Sequence, residues 1–538
     1  MASRKKNLHL RGALLLCALS GALLALCFPR PGWWPLAWVA LVPWLVALRL
    51  GTGAAAILGS WLGGFVFFGV LVYWLDLFGL SVWAAACLVL SLPLLAWGGG
   101  VRWMGRLGPA ARIIGAAALW CGVEWVRGLG QFGFTWGWLG YSQSPALWLL
   151  PVARIAGTIG LSFLIVLVNA AIAEAIASAG SDERTGRSLT RVVAACAVAA
   201  LAILGARQWV AHQGPLKGAP VMVSAVQGSA TGPLRPEDVN VALTAAQLAR
   251  TQEVYTSLTA QAARQRPVLV VWPESVLPAD PDSDPVIAEW VARSARLAHA
   301  WLLAGGPYVD KQGRQFNSAY LIAASGNQVA RYDKVQLVPF GEYVPWRERL
   351  PFLQHYHVRD FDFASGGVHR VLQAGIVAIG PMICFESIFP QISWELTQRG
   401  AQVLVIITND AWFGRTSAAA QHRQIAVLRA VETNRWVVRA ASAGISSIIS
   451  PDGRIVAEAG LFQPKVLSHE ITLGPSGAHP LPGGQVFAWL MVFLSVAFII
   501  APAALPRRRK PGRGPRSSPR SPRAESRAPR PPGRAAPR

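Results

Sequence analysis

Apolar positions follow two different rhythms along this chain. Near the start they form long unbroken stretches, at about 10–28, 33–49, 53–78, 80–98, 112–127, 156–178 and 190–209, with one more at 484–505. Each is close to the ~20 residues that a helix needs to cross a bilayer. The fifth is short and is interrupted by Glu124. One such stretch alone could be a buried core helix. A series of them separated by brief loops reads as a bundle of about eight membrane spans. The first stretch follows the basic residues Arg4, Lys5 and Lys6, as a secretory signal would. More spans come directly after it, so it is expected to remain as a membrane helix.

Between about 220 and 475 the rhythm changes to short strand-like runs that alternate with helical patterns. Strands are expected at Val221–Val226, Val268–Trp272, Trp301–Ala304, Ala319–Ala323, Ile376–Ile383, Val403–Thr408 and Trp436–Ala440. Helices are expected near 237–264, 284–299, 388–399 and 417–433. Such alternation argues for a layered α/β domain of about 250 residues. Beyond Leu505 the chain is rich in Arg, Pro and Ser and cannot build a core. The expected organisation is a helical membrane bundle of about seven spans over 1–210, an α/β domain over 220–475, a last span at 484–505, and a basic disordered tail at 506–538.

Composition agrees with this division. Of 538 residues, 53% are hydrophobic and only 14% charged, and 23 are Trp. That is too apolar for one soluble globule. The formal net charge is +23, but from Arg507 to Arg538 twelve Lys/Arg face one Glu, a net of +11. About half of the excess therefore lies in the tail. Directly after a span, contact with anionic lipid is a simpler role for it than nucleic acid, and no nucleic-acid partner is expected. Loop charge sets orientation. Arg49, then Arg102, Arg106 and Arg112, then Arg184, Arg187 and Arg191 fall on the side of the N-terminus, whereas the opposite loops carry little beyond Arg30, Arg127 and Arg154. Both ends of the chain are thus expected in the cytoplasm and the α/β domain outside it. The loop Gly128–Pro151 interleaves aromatics with glycine, a pattern suited to the headgroup layer or a re-entrant segment. Glu124 and Glu174 lie inside apolar spans, and the sequence offers no evident partner for either.

The six cysteines are Cys17, Cys27, Cys87, Cys121, Cys196 and Cys384. Five lie in apolar spans and none forms a C-x-x-C pair, so neither a disulfide framework nor a structural zinc site is expected. Cys384 stands apart. A run of apolar and β-forming residues from Val371 reads as a buried strand that ends at Cys384 and turns into a helix-like pattern through Ile388, Ile392 and Leu396. Such a turn presents the side chain at its tip to a cleft. A lone Cys can equally be structural, and a thiol becomes a nucleophile only with a base and a cation nearby. Two other stretches supply candidates. Val271-Trp272-Pro273-Glu274-Ser275 and Tyr332-Asp333-Lys334 each place one reactive group after a strand-like run. In one cleft, Glu274 could take the thiol proton and return it to a leaving group. Lys334 could stabilise a thiolate and an oxyanion. Cys384 could attack a carbonyl and hold the acyl group as a thioester.

These three stretches in this order resemble the carbon–nitrogen hydrolase (nitrilase) superfamily, whose members carry a Glu-Lys-Cys triad in an αββα sandwich. The spans and the segment Leu337-Val-Pro-Phe-Gly-Glu-Tyr-Val-Pro345 resemble, within it, the membrane-bound apolipoprotein N-acyltransferase family. So do Phe28-Pro29, Trp34 to Ala37, Phe134 to Tyr141, Thr408 to Phe413, Gln421-His422 and Leu428 to Arg435. The resemblance covers about Leu10 to Leu505 and leaves out the tail. It implies a nitrilase-like αββα domain inserted between transmembrane helices. It implies Glu274 as base, Lys334 as oxyanion-side cation and Cys384 as nucleophile, with Glu342 and Glu386 in support. Phe340, Tyr343, Phe385, Asn409 and Trp412 are implied as substrate contacts. No metal or cofactor is implied. The reaction implied takes an acyl chain from a phospholipid and passes it, through a thioester, to the α-amine of a diacylglyceryl-cysteine on an apolipoprotein. The setting would be a bacterial inner membrane, with a monomeric enzyme whose catalytic domain is periplasmic. The sequence departs from the family at Phe385, where a Tyr is common, and at Gln227-Gly228-Ser229, where Gln-Gly-Asn is usual. Two other readings remain open on the residues alone. A membrane-anchored amidase would need the same triad, and a transporter or receptor could carry an outer binding module.

Reporter fusions test the orientation. A reporter near Gly326 is expected to read extracytoplasmic, and reporters near Arg184 or after Arg509 cytoplasmic. A cytoplasmic signal at Gly326 would reverse the assigned sides.

Overall fold

The computed structural model describes residues 8–179, 182–229, 244–349, 361–476 and 483–504, with Gly533. The tail expected at 506–538, but for Gly533, and the start of the helix expected at 237–264 lie outside the described residues. The first part of the chain is helical: α1 (Leu10–Leu26), α2 (Ala37–Ala40), α3 (Val42–Leu50), α4 (Gly53–Leu71), α5 (Leu80–Trp103), α6 (Pro109–Arg127), α7 (Pro151–Ser178) and α8 (Asp182–Gln213). The second part alternates: β1 (Pro220–Gln227), α9 (Ala245–Ala263), β2 (Leu269–Val271), α10 (Pro285–Ala298), β3 (Trp301–Val309), β4 (Gln315–Ile322) and β5 (Gln328–Asp333). It continues with β6 (Leu372–Ala374), β7 (Val377–Ile383), α11 (Pro390–Gln398), β8 (Val403–Thr408), α12 (Ala418–Thr433), β9 (Trp436–Ala441), β10 (Ser447–Ile449), β11 (Ile455–Glu458) and β12 (Lys465–Thr472). A final helix, α13, spans Gly483–Ala504.

Among the described residues, five helices are long and apolar enough to cross a membrane: α4, α5 with its extension to Arg106, α7, the Gly186–Gln213 part of α8, and α13. Leu10–Leu26 and Trp34–Leu50 are apolar but shorter. The second of these is broken between α2 and α3. Asn169 of α7 serves the break, accepting from the Leu41 N–H and donating to the Ala37 carbonyl, both at 2.9 Å. An apolar bundle tolerates a broken helix where a neighbour satisfies the freed backbone groups in this way. Helices α1 and α4 approach through glycine, and a Cβ on Gly21 would run into the Gly63 carbonyl. The two acids inside the apolar stretches both find partners outside their own helices. Arg112 grips Glu174, and Arg49 stands 3.5 Å from the same carboxylate. Glu124 accepts the Leu139 N–H at 2.6 Å.

The α/β part holds two six-stranded mixed sheets, ordered β12-β1-β2-β3-β4-β5 and β11-β10-β9-β8-β7-β6. Alternate residues of the two sheets face each other: Val223, Ala225, Leu269, Val271 and Leu321 meet Ile379, Ile383, Val405, Ile407 and Val438. The other face of the first sheet is covered by α9 and α10, through Tyr255, Ile287, Trp290 and Val291. The other face of the second sheet, with Met382, Leu404 and Ile406, lies under Trp394, Ile425 and Leu428 of α11 and α12. The order of layers is therefore αββα. Seven strands and four helices coincide with those expected. The strands β5, β6, β10, β11 and β12 were not expected; β6 and β10 have three residues each, and β5, β11 and β12 are partly exposed.

The outer face of α12 is not open to water. The same apolar cluster runs on into the bundle, to Trp125, Trp138, Leu149 and Ile165. Every residue of α12 except Arg423 is buried. The aromatic loop before α7 lies between the bundle and the α/β domain. Trp136, Trp138 and Tyr141 are buried; the Trp136 indole donates to Gln421 of α12 at 2.7 Å, the Tyr141 hydroxyl donates to the Ile388 carbonyl, and Trp138 packs on Trp125 and Tyr141.

Gly21→Leu is expected to push α1 from α4 and to lower the unfolding temperature in detergent. Overpacking costs typically about 1–3 kcal/mol. Leu204→Ala, at an exposed site, is the control that should leave the transition in place. Equal transitions for the two variants would refute the close approach.

Candidate active site

Three strand ends converge at one edge of the facing sheets. Buried β7 stops at Cys384, whose φ of 53° lies in the left-handed region. Cys384–Ile388 form a single tight turn, and Pro390 then opens α11. A non-glycine residue persists in this backbone conformation only where its surroundings over-determine it. Here the buried Glu386 supplies the restraint. One carboxylate oxygen accepts the Ile383 N–H at 2.7 Å. The other accepts the Tyr332 hydroxyl at 2.8 Å and the N–H groups of Val335 at 2.8 Å and Gln336 at 3.2 Å. Glu386 thus ties the Cys384 turn to the residues that follow Lys334, and its oxygens are taken up in this brace.

Lys334 follows β5, and its N–H donates to the Asn317 carbonyl at 2.8 Å. Its side chain is 1% exposed, with Nζ 2.9 Å from Glu342 Oε1 and 3.8 Å from Glu274 Oε1. Burial works against the ammonium charge, but Glu342, then Glu274 and Cys384, hold its pKa above the usual lysine value. Glu342 also accepts the Val338 N–H at 2.9 Å, which folds the intervening loop over the lysine. Glu274 sits in the turn after β2. Its Oε1 accepts from Asn317 Nδ2 at 2.7 Å, and its Oε2 accepts the Asn409 N–H at 2.7 Å. Gly305 of β3 lies against this turn, and a Cβ there would stand 2.6 Å from Glu274 Cα. Asn317 also donates to Glu342 at 2.9 Å and so spans both carboxylates. The half-buried Cys384 thiol is pushed well above its ordinary value, first by burial and then by Glu274, with Lys334 opposing. At neutral pH it is therefore a thiol at rest.

A second buried network backs the turn. His422 Nε2 lies 2.8 Å from Ser387 Oγ and 3.3 Å from the Cys384 carbonyl, and Nδ1 lies 3.1 Å from Asp410. Burial disfavours the Asp410 carboxylate, yet Arg439 and then His422 hold its pKa well below the usual range. The Ile388 carbonyl at the end of the turn accepts from Thr135 at 2.6 Å, from Tyr141 at 3.2 Å and from Arg429 at 3.4 Å. Arg429 pairs with Glu432 at 2.9 Å, and Glu432 accepts from both the N–H and the hydroxyl of Thr158 at 2.7 Å. Thr158 follows Gly157, the kink in α7. The turn is thus fastened to the helical bundle as well as to its own domain.

Glu274, Lys334, Glu342 and Cys384 come together as the sequence led one to expect. The residues implied as substrate contacts divide. Phe385 packs on Phe389 at 5.1 Å and faces Phe134 of the aromatic loop at 6.4 Å. Asn409 instead braces the site, its N–H on Glu274 and its side chain bonded to Ser442 and Ala411. Phe340, at φ 64°, donates its N–H to Tyr343 O at 2.8 Å, and the rings of Phe340, Tyr343 and Trp412 are half-buried. Asn317 was missed. Asn317 stands among other polar residues, Gln315 and Ser318, in the first half of β4, and alternation alone does not single it out. His422 was noted only as a matching residue, without a role.

Two family models match the chain. One described as "Carbon-nitrogen hydrolase" covers residues 223–478, and one described as "Apolipoprotein N-acyltransferase N-terminal domain" covers residues 20–171. The apolipoprotein N-acyltransferase of Geobacter metallireducens is 36% identical over 511 residues, 92% of this chain and 95% of that protein. That of Azotobacter vinelandii is 32% identical, again over 92% and 95%. The chain belongs to the apolipoprotein N-acyltransferase family. An amidase from Nesterenkonia sp. AN1, solved with acrylamide, is 19% identical and aligns over 47% of this chain and 92% of its own, with a TM-score of 0.36. Membership of the N-acyltransferase family accounts for both halves of the fold, the apolar helices and the carbon–nitrogen hydrolase sheets.

Removing the charge on Glu274 tests the electrostatics without any substrate. That carboxylate disfavours the thiolate, so Glu274→Gln is expected to raise the thiolate fraction near pH 7.5 and to speed alkylation of Cys384 by iodoacetamide. Mass spectrometry of the Cys384 peptide gives the rate, since Cys196 is also an exposed thiol. Unchanged alkylation would mean that Glu274 does not bear on the thiol; slower alkylation would mean that its part as proton acceptor outweighs its charge.

Proposed function

We propose that this protein transfers an acyl chain from a membrane phospholipid to the α-amine of a diacylglyceryl-cysteine on an apolipoprotein, through a thioester on Cys384. The observation that carries the reading is the thiol at its strained turn beside a buried Lys334 and Glu274, in a domain whose nucleophile turn is bonded directly to an apolar helical bundle. Both substrates are held in a membrane, and a cleft built on such a bundle lets their chains approach without crossing water. Hydrolysis of a small amide would need the same three groups but not this junction.

The steps follow from the charges. Glu274 takes the proton of Cys384 as the sulfur attacks the ester carbonyl of the donor. The oxygen of the tetrahedral intermediate gains negative charge beside Lys334 Nζ. When the intermediate collapses, the C–O bond breaks and Glu274 returns the proton to the departing oxygen of the lysophospholipid. The acceptor amine then attacks the thioester, gives a proton to Glu274, and expels the thiolate, which is reprotonated. Glu342 positions and neutralises Lys334, Glu386 braces the turn, and Phe340, Tyr343, Phe385 and Trp412 line the approach. No metal or cofactor enters.

The reading extends to the whole chain. Eight spans, with α1, the broken Trp34–Leu50 segment and α6 among them, would return the end of the chain to the side on which it started. The α/β domain, at 220–475, would face the periplasm of a bacterial inner membrane. The protein would work as a monomer with both ends in the cytoplasm.

The test uses phospholipid and a synthetic diacylated lipopeptide, with acyl-Cys384 followed by intact mass and the product separately. Cys384→Ala and Cys384→Ser are expected to form neither. Glu274→Gln is expected to lose about 10²–10⁴-fold, the usual contribution of a general acid–base group. Glu342→Gln should acylate slowly but measurably. Normal acylation in Glu274→Gln, with none in Glu342→Gln, would exchange the roles of the two acids. Release of free fatty acid with no N-acylated peptide would favour a hydrolase.

A further inference from the structure

A cavity of about 310 Å³ opens where the bundle meets the α/β domain, between the first turn of α7, the last turns of α8 and the turn joining β10 to β11. It is separate from the Cys384 cleft. Its wall includes Val431, nine residues along α12 from His422, which is roughly 14 Å at the rise of a helix. Three guanidinium groups line it, those of Arg154, Arg207 and Arg454, against one carboxylate, Asp452. Arg454 pairs with Asp452 at 2.9 Å. Arg154 is held by the Pro451 carbonyl at 2.6 Å and the Val431 carbonyl at 3.4 Å, neither of which neutralises its charge. Arg207 is exposed, and its side chain has no ion pair or hydrogen bond among the described residues. The cavity therefore carries an excess of two positive charges. Guanidinium groups clustered around a space of this size suit a phosphate, whose oxygens they can bind in pairs.

The rim indicates what bears the phosphate. Leu147 and Trp148 line the cavity yet are 40% and 49% exposed. Above Arg207 on α8, Leu204 and Leu201 are 59% and 68% exposed, on a helix long and apolar enough to cross a membrane. A cationic cavity that continues into an apolar helix face fits an amphiphile, its head in the cavity and its chains along the helix. We propose that this cavity binds the phosphate of a phospholipid headgroup, with the acyl chains laid on α8, as a lipid site distinct from the Cys384 cleft.

The site goes beyond acyl transfer, and its test does not depend on turnover. The full-length protein in detergent is mixed with a dialkyl-ether phosphatidylglycerol, which cannot donate an acyl group, and retained lipid is counted by native mass spectrometry. Arg207→Gln/Arg454→Gln is expected to retain one lipid fewer, with affinity at that site down about 25-fold, at about fivefold per arginine near a membrane surface. Arg207→Gln alone, at an exposed position, should lose about fivefold even if the double variant folds poorly. A dialkylglycerol without phosphate should not fill the site, and inorganic phosphate should displace the lipid only at much higher concentration. Equal retention by the variants, equal filling by the dialkylglycerol, or displacement by an equal concentration of phosphate would overturn the proposal. Acylation of Cys384 by a short-chain donor should stay within about twofold in Arg207→Gln/Arg454→Gln; its loss together with the lipid would mean that there is one lipid site only.

Discussion

The charge on Lys334 is the constraint around which the site is built. An ammonium group whose side chain is 1% exposed is tolerated only with partners, because an unpaired ion loses several kcal/mol of hydration on burial. Glu342 meets this demand from eight positions further on, which forces the intervening loop to close over the lysine. Glu274 adds a second carboxylate, and Asn317 donates to both so that their oxygens are satisfied. One cation and two carboxylates leave a net charge of −1 beside Cys384. Burial first, and then the second negative charge that a thiolate would add there, hold the thiol above its ordinary value. Moving its proton onto Glu274 keeps the total at −1. On the proposed reading, the arrangement couples formation of the nucleophile to the presence of a specific proton acceptor.

The strained turn at Cys384 depends on groups from three directions. Glu386 holds it to β5 and its following loop, His422 and Ser387 hold it to α12, and Thr135, Tyr141 and Arg429 converge on the Ile388 carbonyl. Thr135 and Tyr141 come from the bundle, so the helical part contributes to the shape of the turn. Helix α12 transmits this. Pressed between the second sheet and the bundle, it buries Arg429 and Glu432 as a pair that meets Thr158 just past the α7 kink. Buried pairs of this kind are weak sources of stability but strong constraints on geometry, since removing one partner leaves the other charge uncompensated.

What the sequence by itself determined was local. Long apolar stretches located the helices, and short apolar runs ending at Glu274, Lys334 and Cys384 located three reactive groups at strand ends, because helix, strand and turn each impose a period on neighbouring residues. Helix α12 buries all but Arg423, polar residues such as Gln421, His422, Arg429 and Glu432 included, so its pattern gave its extent but not that it has no solvent side. Weakly buried strands such as β5, with no apolar alternation, left no period to read. Partners were decided only by the tertiary structure. Asn317 meets Glu274 across 43 residues, Glu174 meets Arg112 across 62, and Thr135 meets Ile388 across 253. The side-chain type at each position states what it can bond, but which distant group comes within 3 Å is fixed by how sheets and helices stack, and that depends on the packing of the whole chain at once.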